Sequence, residues 1–370
     1  MSSMNDSAYI NVARKMDEFF TTAPKEDDGM HFHEAFISYL KLVYSPQEAQ
    51  VLQHFKRPGM FVSTQDAAEA CGKNLADVEQ ILAEVFKRNA LLGLGNIYSL
   101  PPIQMLVNIH NFYPETKPDD LEAARLYQDY FIKGGFYKYY EGSKKGTPAL
   151  RTIPISQAID AGQKVLSAEE AHDFILNHAA EEMALVPCPC RTRTEKMGIR
   201  ECKEKYPVAT CIFLGPAALH FEMMGLGKRV TRQQAVTYFD EMAELGLVGT
   251  TDNAISGSTV ICLCCGCCCS QVRGRTRWDN PNAILPSNFV PQAGEDCVGC
   301  GTCTERCFFN ALSVDEETDH VVVAPEKCIG CGVCTLACPQ EALKLHRYDR
   351  SKPFDTSRDL MKTIALENRE

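Results

Sequence analysis

Two runs of four cysteines, offset by 31 residues (297 to 328), constrain this chain more than any other feature. The first is Cys297-x2-Cys300-x2-Cys303-x3-Cys307. The second is Cys328-x2-Cys331-x2-Cys334-x3-Cys338, closed by Pro339. Outside the cysteines the copies share Gly299/Gly330, Gly301/Gly332, Thr304/Thr335, Ala311/Ala342 and Leu312/Leu343. Three cysteines two residues apart wrap a tight loop around one centre, and the glycines let the backbone approach it. A disulfide framework fits poorly, because the total of 19 cysteines is odd and a chain of 370 residues can bury a core without stapling. Zinc also uses C-x2-C pairs, but it closes with four ligands and has no need of a third and fourth cysteine at these offsets. The expected setting is a reducing cytoplasm with metal-bound thiolates.

The repeat resembles the bacterial ferredoxins that carry two [4Fe-4S] clusters. That resemblance implies a βαββαβ-like fold over residues 297–345 and single-electron transfer. It also implies crossed ligation, in which the fourth cysteine of each run serves the cluster of the other. One cluster then takes Cys297, Cys300, Cys303 and Cys338, and the other takes Cys328, Cys331, Cys334 and Cys307. The first run departs from the family pattern at Phe308, where Pro is usual. Proline there helps turn the chain and ligates nothing, so cluster binding stands. The stretch ALSVDEETDHVVVAP between the runs reads as a β-hairpin.

Ten further cysteines lie upstream: Cys188, Cys190, Cys202, Cys211, Cys262, Cys264, Cys265, Cys267, Cys268 and Cys269. Thiolate-rich sites select Fe–S clusters, zinc or Cu(I). Eight of the ten would suffice for two more cubanes, with two left over, and one cluster with several bystanders is the alternative. All ten are candidate ligands of one or two additional iron–sulfur clusters. The order CPCR…C…C and then IC-x-CC-x-CCC, just ahead of a two-cluster domain, resembles multi-domain ferredoxin-type proteins of anaerobes over residues 180–340. Basic residues crowd both motifs, against a formal net charge of −10 for the chain. Arg191, Arg193, Arg273 and Arg275 are therefore candidates for offsetting cluster charge or holding an anion, with a solvated loop as the plain alternative.

The rest of the chain sets the frame. Residues 1–30 are polar and read as a flexible N-terminus, with no signal peptide expected. Residues 31–105 read as three helices and a hairpin, in an order that resembles a winged helix-turn-helix. Ser45-Pro46-Gln47-Glu48 is a capping box, Gly72 ends a short helix and Asn74 caps a longer one. Between residues 46 and 105, five basic residues face six acidic ones, which argues against nucleic acid as a partner. A helical connector (106–163) holds one aromatic-rich helix from Asp119 to Tyr140, whose rings are read as packing. A cysteine-rich, mainly helical domain (164–278) follows, with helices opening at Ser167 and Thr231. A linker (279–296), the ferredoxin domain and a tail (346–370) complete an α+β chain. No apolar run is long enough to span a membrane.

Three functions remain in play at this level. The first is an electron-transfer protein or subunit of a multi-subunit oxidoreductase, with a redox protein as partner. The second is an oxidoreductase whose substrate meets a cluster in the middle domain. The third is a redox-sensing DNA-binding regulator.

Overall fold

In the computed structural model, residues 2–18, 23, 25–26, 28–113, 118–140, 142–350 and 352–369 are described. The chain divides into two units. One comprises Met1–Tyr140, Thr192–Ile199 and Ala365–Glu370, and the other Glu141–Arg191 and Arg200–Ile364.

In the first unit the sequence expectations meet one clear correction. The polar N-terminus forms a helix, Ser2–Asp17. Ala8, Tyr9, Val12, Ala13 and Met16 bury one face of it at helical spacing. The Tyr9 hydroxyl donates to the carbonyl of Tyr44 at 2.9 Å. Residues 1, 19–22, 24 and 27 of the segment expected to be flexible lie outside the described residues. The capping box works as read: the Ser45 amide donates to the Glu48 carboxylate at 2.8 Å, and the Glu48 amide to the Ser45 hydroxyl at 3.3 Å, opening Pro46–Leu52. Gly72 closes Thr64–Cys71 in the left-handed region (φ 65°). Asn74 caps Leu75–Lys87, which buries Val78, Leu82 and Val85. Strands β1 (Val62–Ser63), β2 (Leu92–Leu94) and β3 (Ile97–Ser99) pair antiparallel in the order β1-β3-β2.

The connector holds two helices where one was expected. Pro118–Ile132 ends at Gly134-Gly135, where Gly135 takes φ +69°, and Phe136–Tyr140 follows. Tyr130 stacks on both Phe36 and Phe136, with ring centroids 4.8 and 4.6 Å apart, in keeping with a packing role. The side chains of Tyr139 and Tyr140 lie outside the described residues.

The second unit departs further from expectation. The segment read as mainly helical is built on a sheet. Besides β4 (Leu150–Thr152), from the expected connector, the strands are β5 (Met183–Pro187), β6 (Thr210–Leu214), β7 (Lys228–Arg229), β8 (Val248–Asp252), β9 (Ala254–Ser256) and β10 (Val260–Cys264). Six of them form one sheet in the order β4-β8-β10-β6-β5-β7. Short apolar runs such as MALVP and TCIFL carry no alternation, so periodicity does not separate a buried strand from a piece of buried helix. The helix expected from Ser167 to Met183 is a short one. Glu170 caps Ala171–Asp173 through its carboxylate, a π-helical turn spans Phe174–His178, and Met183 already belongs to β5. The helix opened by Thr231 stands as read: Arg232–Leu245, with a Thr231/Gln234 capping box and Gly246 at φ 100°.

The linker and tail are also structured. Strand β11 (Phe289–Ala293) lies within the expected linker and pairs with β14 (Leu343–Arg347), so the cysteine runs sit inside a β11/β14 ladder. The hairpin between the runs is β12 (Leu312–Asp315) with β13 (His320–Val323). Beyond β14, β15 (Phe354–Thr356) runs parallel to β9, and the helix Ser357–Arg369 follows. The glycines of both runs take positive φ, from 60° at Gly299 to 88° at Gly332, as a tight thiolate loop requires.

Candidate metal centres

Strand pairing sorts the ten upstream thiols. On β10, Ile261 pairs with Ile212 of β6, so the next step of that ladder brings Cys262 level with Cys211. Side chains alternate along a strand, so Cys262 and Cys264 share one face while Ile261 and Leu263 enter the core on the other. On the neighbouring strand Val186 pairs with Cys211, and Cys188 follows directly after β5. The result is a closed ring of six thiols: Cys188, Cys211, Cys262, Cys264, Cys269 and Cys190, each hydrogen-bonded to the next. The Cys264 and Cys269 sulfurs stand 3.1 Å apart, and the Ser270 amide donates to Cys190 at 3.4 Å. Hydrogen bonds from Cys188 and Cys262 hold Cys211 well below the ordinary thiol range, and those from Cys262 and Cys269 bring Cys264 down to about 6. The donors Cys188, Cys262 and Cys269 are pushed up correspondingly.

The other four upstream thiols form a separate group. Cys265 follows the last residue of β10, and Cys202, Cys265, Cys267 and Cys268 gather with all sulfurs within 4.8 Å of one another. Cys265 accepts from Cys202, Cys267 and Cys268 and is held far below the thiol range, while Cys267 is pushed up to about 12 by its bond to Cys265. A cleft opens on this group, lined also by Lys205, Tyr206, Gly266, Arg277 and Phe308.

The eight cysteines of the repeat surround two cavities. One is lined by Cys297, Cys300, Cys303 and Cys338 with Val298, Val321 and Leu343. The other is lined by Cys307, Cys328, Cys331 and Cys334 with Phe308, Phe309 and Val333. The thiols thus come together in the crossed grouping, three from one run and the fourth from the other. Thiol donors around an apolar hollow fit a [4Fe-4S] core, whose ligands are four thiolates. The two settings differ. Cys300 is exposed, and Thr302 hydrogen-bonds its sulfur and lowers its pKa. Cys328, Cys331 and Cys334 are buried, and burial pushes Cys331 up to about 12.

The four candidate arginines have different fates. Arg191 is buried; it donates to the carbonyls of Val208 (2.5 Å) and Leu263 (2.7 Å). Burial works against its charge, but the thiols around it, Cys188 first and Cys265 next, outweigh that and raise its pKa. Arg191 therefore faces both upstream thiol groups. Arg193 is fully buried with its guanidinium 4.1 Å from the centre of the Tyr127 ring, and Arg273 stands 5.1 Å from that of Trp278, both cation–π packing. Arg275 donates to the carbonyls of Pro281 and Ile284. A solvated loop describes none of Arg191, Arg193 and Arg273.

Two elements escaped the sequence reading. Arg350, in the expected tail, donates to the carbonyls of Ser287, Pro325, Cys328 and Phe289 at 2.8–2.9 Å, and so clamps the second cavity's wall. A lone arginine beyond the repeat carries no local signal of this. Phe308 was visible only as a departure from the proline pattern, and Phe309 carried no signal. Phe308 lines both the second cavity and the cleft at Cys267. Phe309 lines the second cavity and packs against the cluster of Cys264, Cys269, Val272, Ala283 and Ile284.

Residues 296–342 match the family model of the 4Fe-4S dicluster domain. No curated protein and no solved structure matches the chain. This segment is an iron–sulfur domain of the 4Fe-4S type, and no helix among the described residues is long and apolar enough to cross a membrane.

Proposed function

We propose that the chain is an electron-transfer protein, or the electron-transfer subunit of a larger redox complex, of the bacterial two-cluster ferredoxin kind. Cys297, Cys300, Cys303 and Cys338 would hold one [4Fe-4S] cluster, and Cys328, Cys331, Cys334 and Cys307 the other. A bound cluster supplies a one-electron couple. The observation that carries the reading is the gathering of the eight thiols around two separate cavities. The chain's own residues then divide the work. Exposed Cys300 and Val298, the latter 60% accessible, mark the face that a redox partner can approach most closely. The second cavity is walled from water by buried thiols and by the Arg350 clamp. Phe308 and Phe309 connect that wall to the upstream thiol groups, and Arg191 offsets negative charge held by both. On Leu75–Lys87 the acids Asp77, Glu79 and Glu84 are exposed, which suits docking to a protein better than to nucleic acid.

The test is electron paramagnetic resonance of the anaerobically purified, dithionite-reduced full chain. Two magnetically interacting reduced [4Fe-4S] clusters are expected. A Cys300→Ala variant should alter one signal and slow exchange with a soluble one-electron donor. A chain that never shows more than one cluster signal overturns the reading.

A further inference from the structure

The four sulfurs of Cys202, Cys265, Cys267 and Cys268 have the dimensions of a different kind of centre. Four of their six separations are 3.8 Å (Cys202–Cys265), 3.7 Å (Cys202–Cys268), 3.7 Å (Cys265–Cys267) and 3.5 Å (Cys267–Cys268), and the other two do not exceed 4.8 Å. A tetrahedral ion with metal–sulfur bonds of about 2.3 Å sets its sulfurs about 3.8 Å apart. Thiolates at the corners of a cubane are held apart by the whole width of the iron–sulfur core, so they do not touch. The same protein supplies the contrast. Among the described residues, the Cys202 group is the one set of metal-binding side chains whose ligand atoms all lie within 4.8 Å of one another, and the cysteines of the repeat form no such close group.

We propose that this group binds one tetrahedral, thiolate-preferring divalent ion, Zn²⁺ or Fe²⁺, and not an iron–sulfur cluster. Four thiolates complete the shell of such an ion, with no position left open. The ion would leave the site at −2, and Arg191, within electrostatic reach of Cys265, offsets part of that charge. The ion would tie the Cys265–Cys268 loop to Cys202 and so hold the loop against Phe308, whose ring lies on Gly266. The inference does not depend on the electron-transfer reading, because it concerns nuclearity and not redox partners.

Cubane clusters contain equal numbers of iron and acid-labile sulfide. The full chain, purified anaerobically, should therefore contain at least one more equivalent of metal than of sulfide. Zinc in that excess identifies Zn²⁺. Excess iron, with a ferric tetrathiolate signal on oxidation, identifies Fe²⁺. In Cys267→Ser and in Cys202→Ser the excess should fall by one equivalent, with sulfide and the reduced-cluster signals unchanged. Metal equal to sulfide in the wild type overturns the proposal, and that measurement holds even if a variant fails to fold. So does the loss of four irons with four sulfides in either variant, or the loss of no metal in both.

Discussion

A Cβ built on Gly266 would stand 3.0 Å from the Cβ of Phe308, so the loop between Cys265 and Cys267 rests directly on the side chain that follows Cys307. Phe308 also meets the Tyr206 ring edge-on, with centroids 6.2 Å apart. One phenyl group thus separates the second cavity of the repeat from the cleft at the four-thiol group. Phe308→Ala should merge the two spaces and admit water to the second cavity. The half-buried ring makes a loss of about 2–3 kcal/mol reasonable, below the range for a fully buried Phe. Chemical denaturation measures the stability, and the rate of cluster bleaching in air should rise. An unchanged bleaching rate would remove Phe308 from the wall.

Gly330 has no room for a side chain. It takes φ +68°, and a Cβ there would meet the Phe289 carbonyl and the Ser287 hydroxyl at 2.2 Å each. The left-handed conformation costs a non-glycine residue about 1–2 kcal/mol, and overpacking adds about 1–3. Gly330→Ala should therefore destabilise by about 2–5 kcal/mol and loosen the loop that carries Cys328 and Cys331. Iron analysis should show selective loss of one cluster's four irons. Gly95→Ala, at a turn with nothing within 4 Å, is the control and should keep its iron.

Arg350 serves four carbonyls at once. A hydrogen bond from a charged donor contributes about 1.5–3 kcal/mol net, and bonds made by one side chain do not simply add. Arg350→Lys should not rescue the site, because an ammonium cannot span the fork. Both Arg350→Lys and Arg350→Gln should lower stability by about 2–4 kcal/mol. Loss of the cation in Arg350→Gln should also move the potential of one cluster negative, as read by redox titration, and leave the other in place.

In the first unit, Asp120 accepts from Lys196 at 3.0 Å and pairs with His110 at 3.0 Å. Burial lowers the His110 pKa despite that carboxylate. Above the ordinary histidine value of about 6.5 the ring is neutral folded or unfolded, and it contributes no pH dependence. As pH falls below that value the unfolded chain takes the proton first, so stability declines until the pH passes the lowered folded value. Denaturation midpoints between pH 8 and 5 should show this slope, and His110→Gln should flatten it. Asp120→Asn strands a buried lysine charge and should cost about 3–5 kcal/mol at neutral pH.

Much of this protein was legible from local rules. The capping box at Ser45, the helix stop at Gly72 and the helix from Arg232 to Leu245 follow from short-range chemistry that acts the same way in any chain. The N-terminal helix was missed because its apolar residues are few and its partners, such as Tyr44, lie far along the chain. The central sheet was missed because a short, wholly apolar strand has no alternation to display.

The eight cysteines of the repeat were legible as candidate ligand donors from the sequence alone. Their spacing is a property of a tight loop, and glycine's conformational freedom builds that loop without help from elsewhere. The fate of the other ten thiols was decided by tertiary structure. Six of them crowd into residues 262–269, so spacing offered several groupings. The pairing of β10 with β6 brings Cys262 level with Cys211, and side-chain alternation then sends Cys264 to the ring of six, while Cys265, beyond the strand's end, joins the group of four. Whether a thiol group spans a cluster or grips a single ion is a matter of sulfur–sulfur distance, and that distance exists only once the strands have paired.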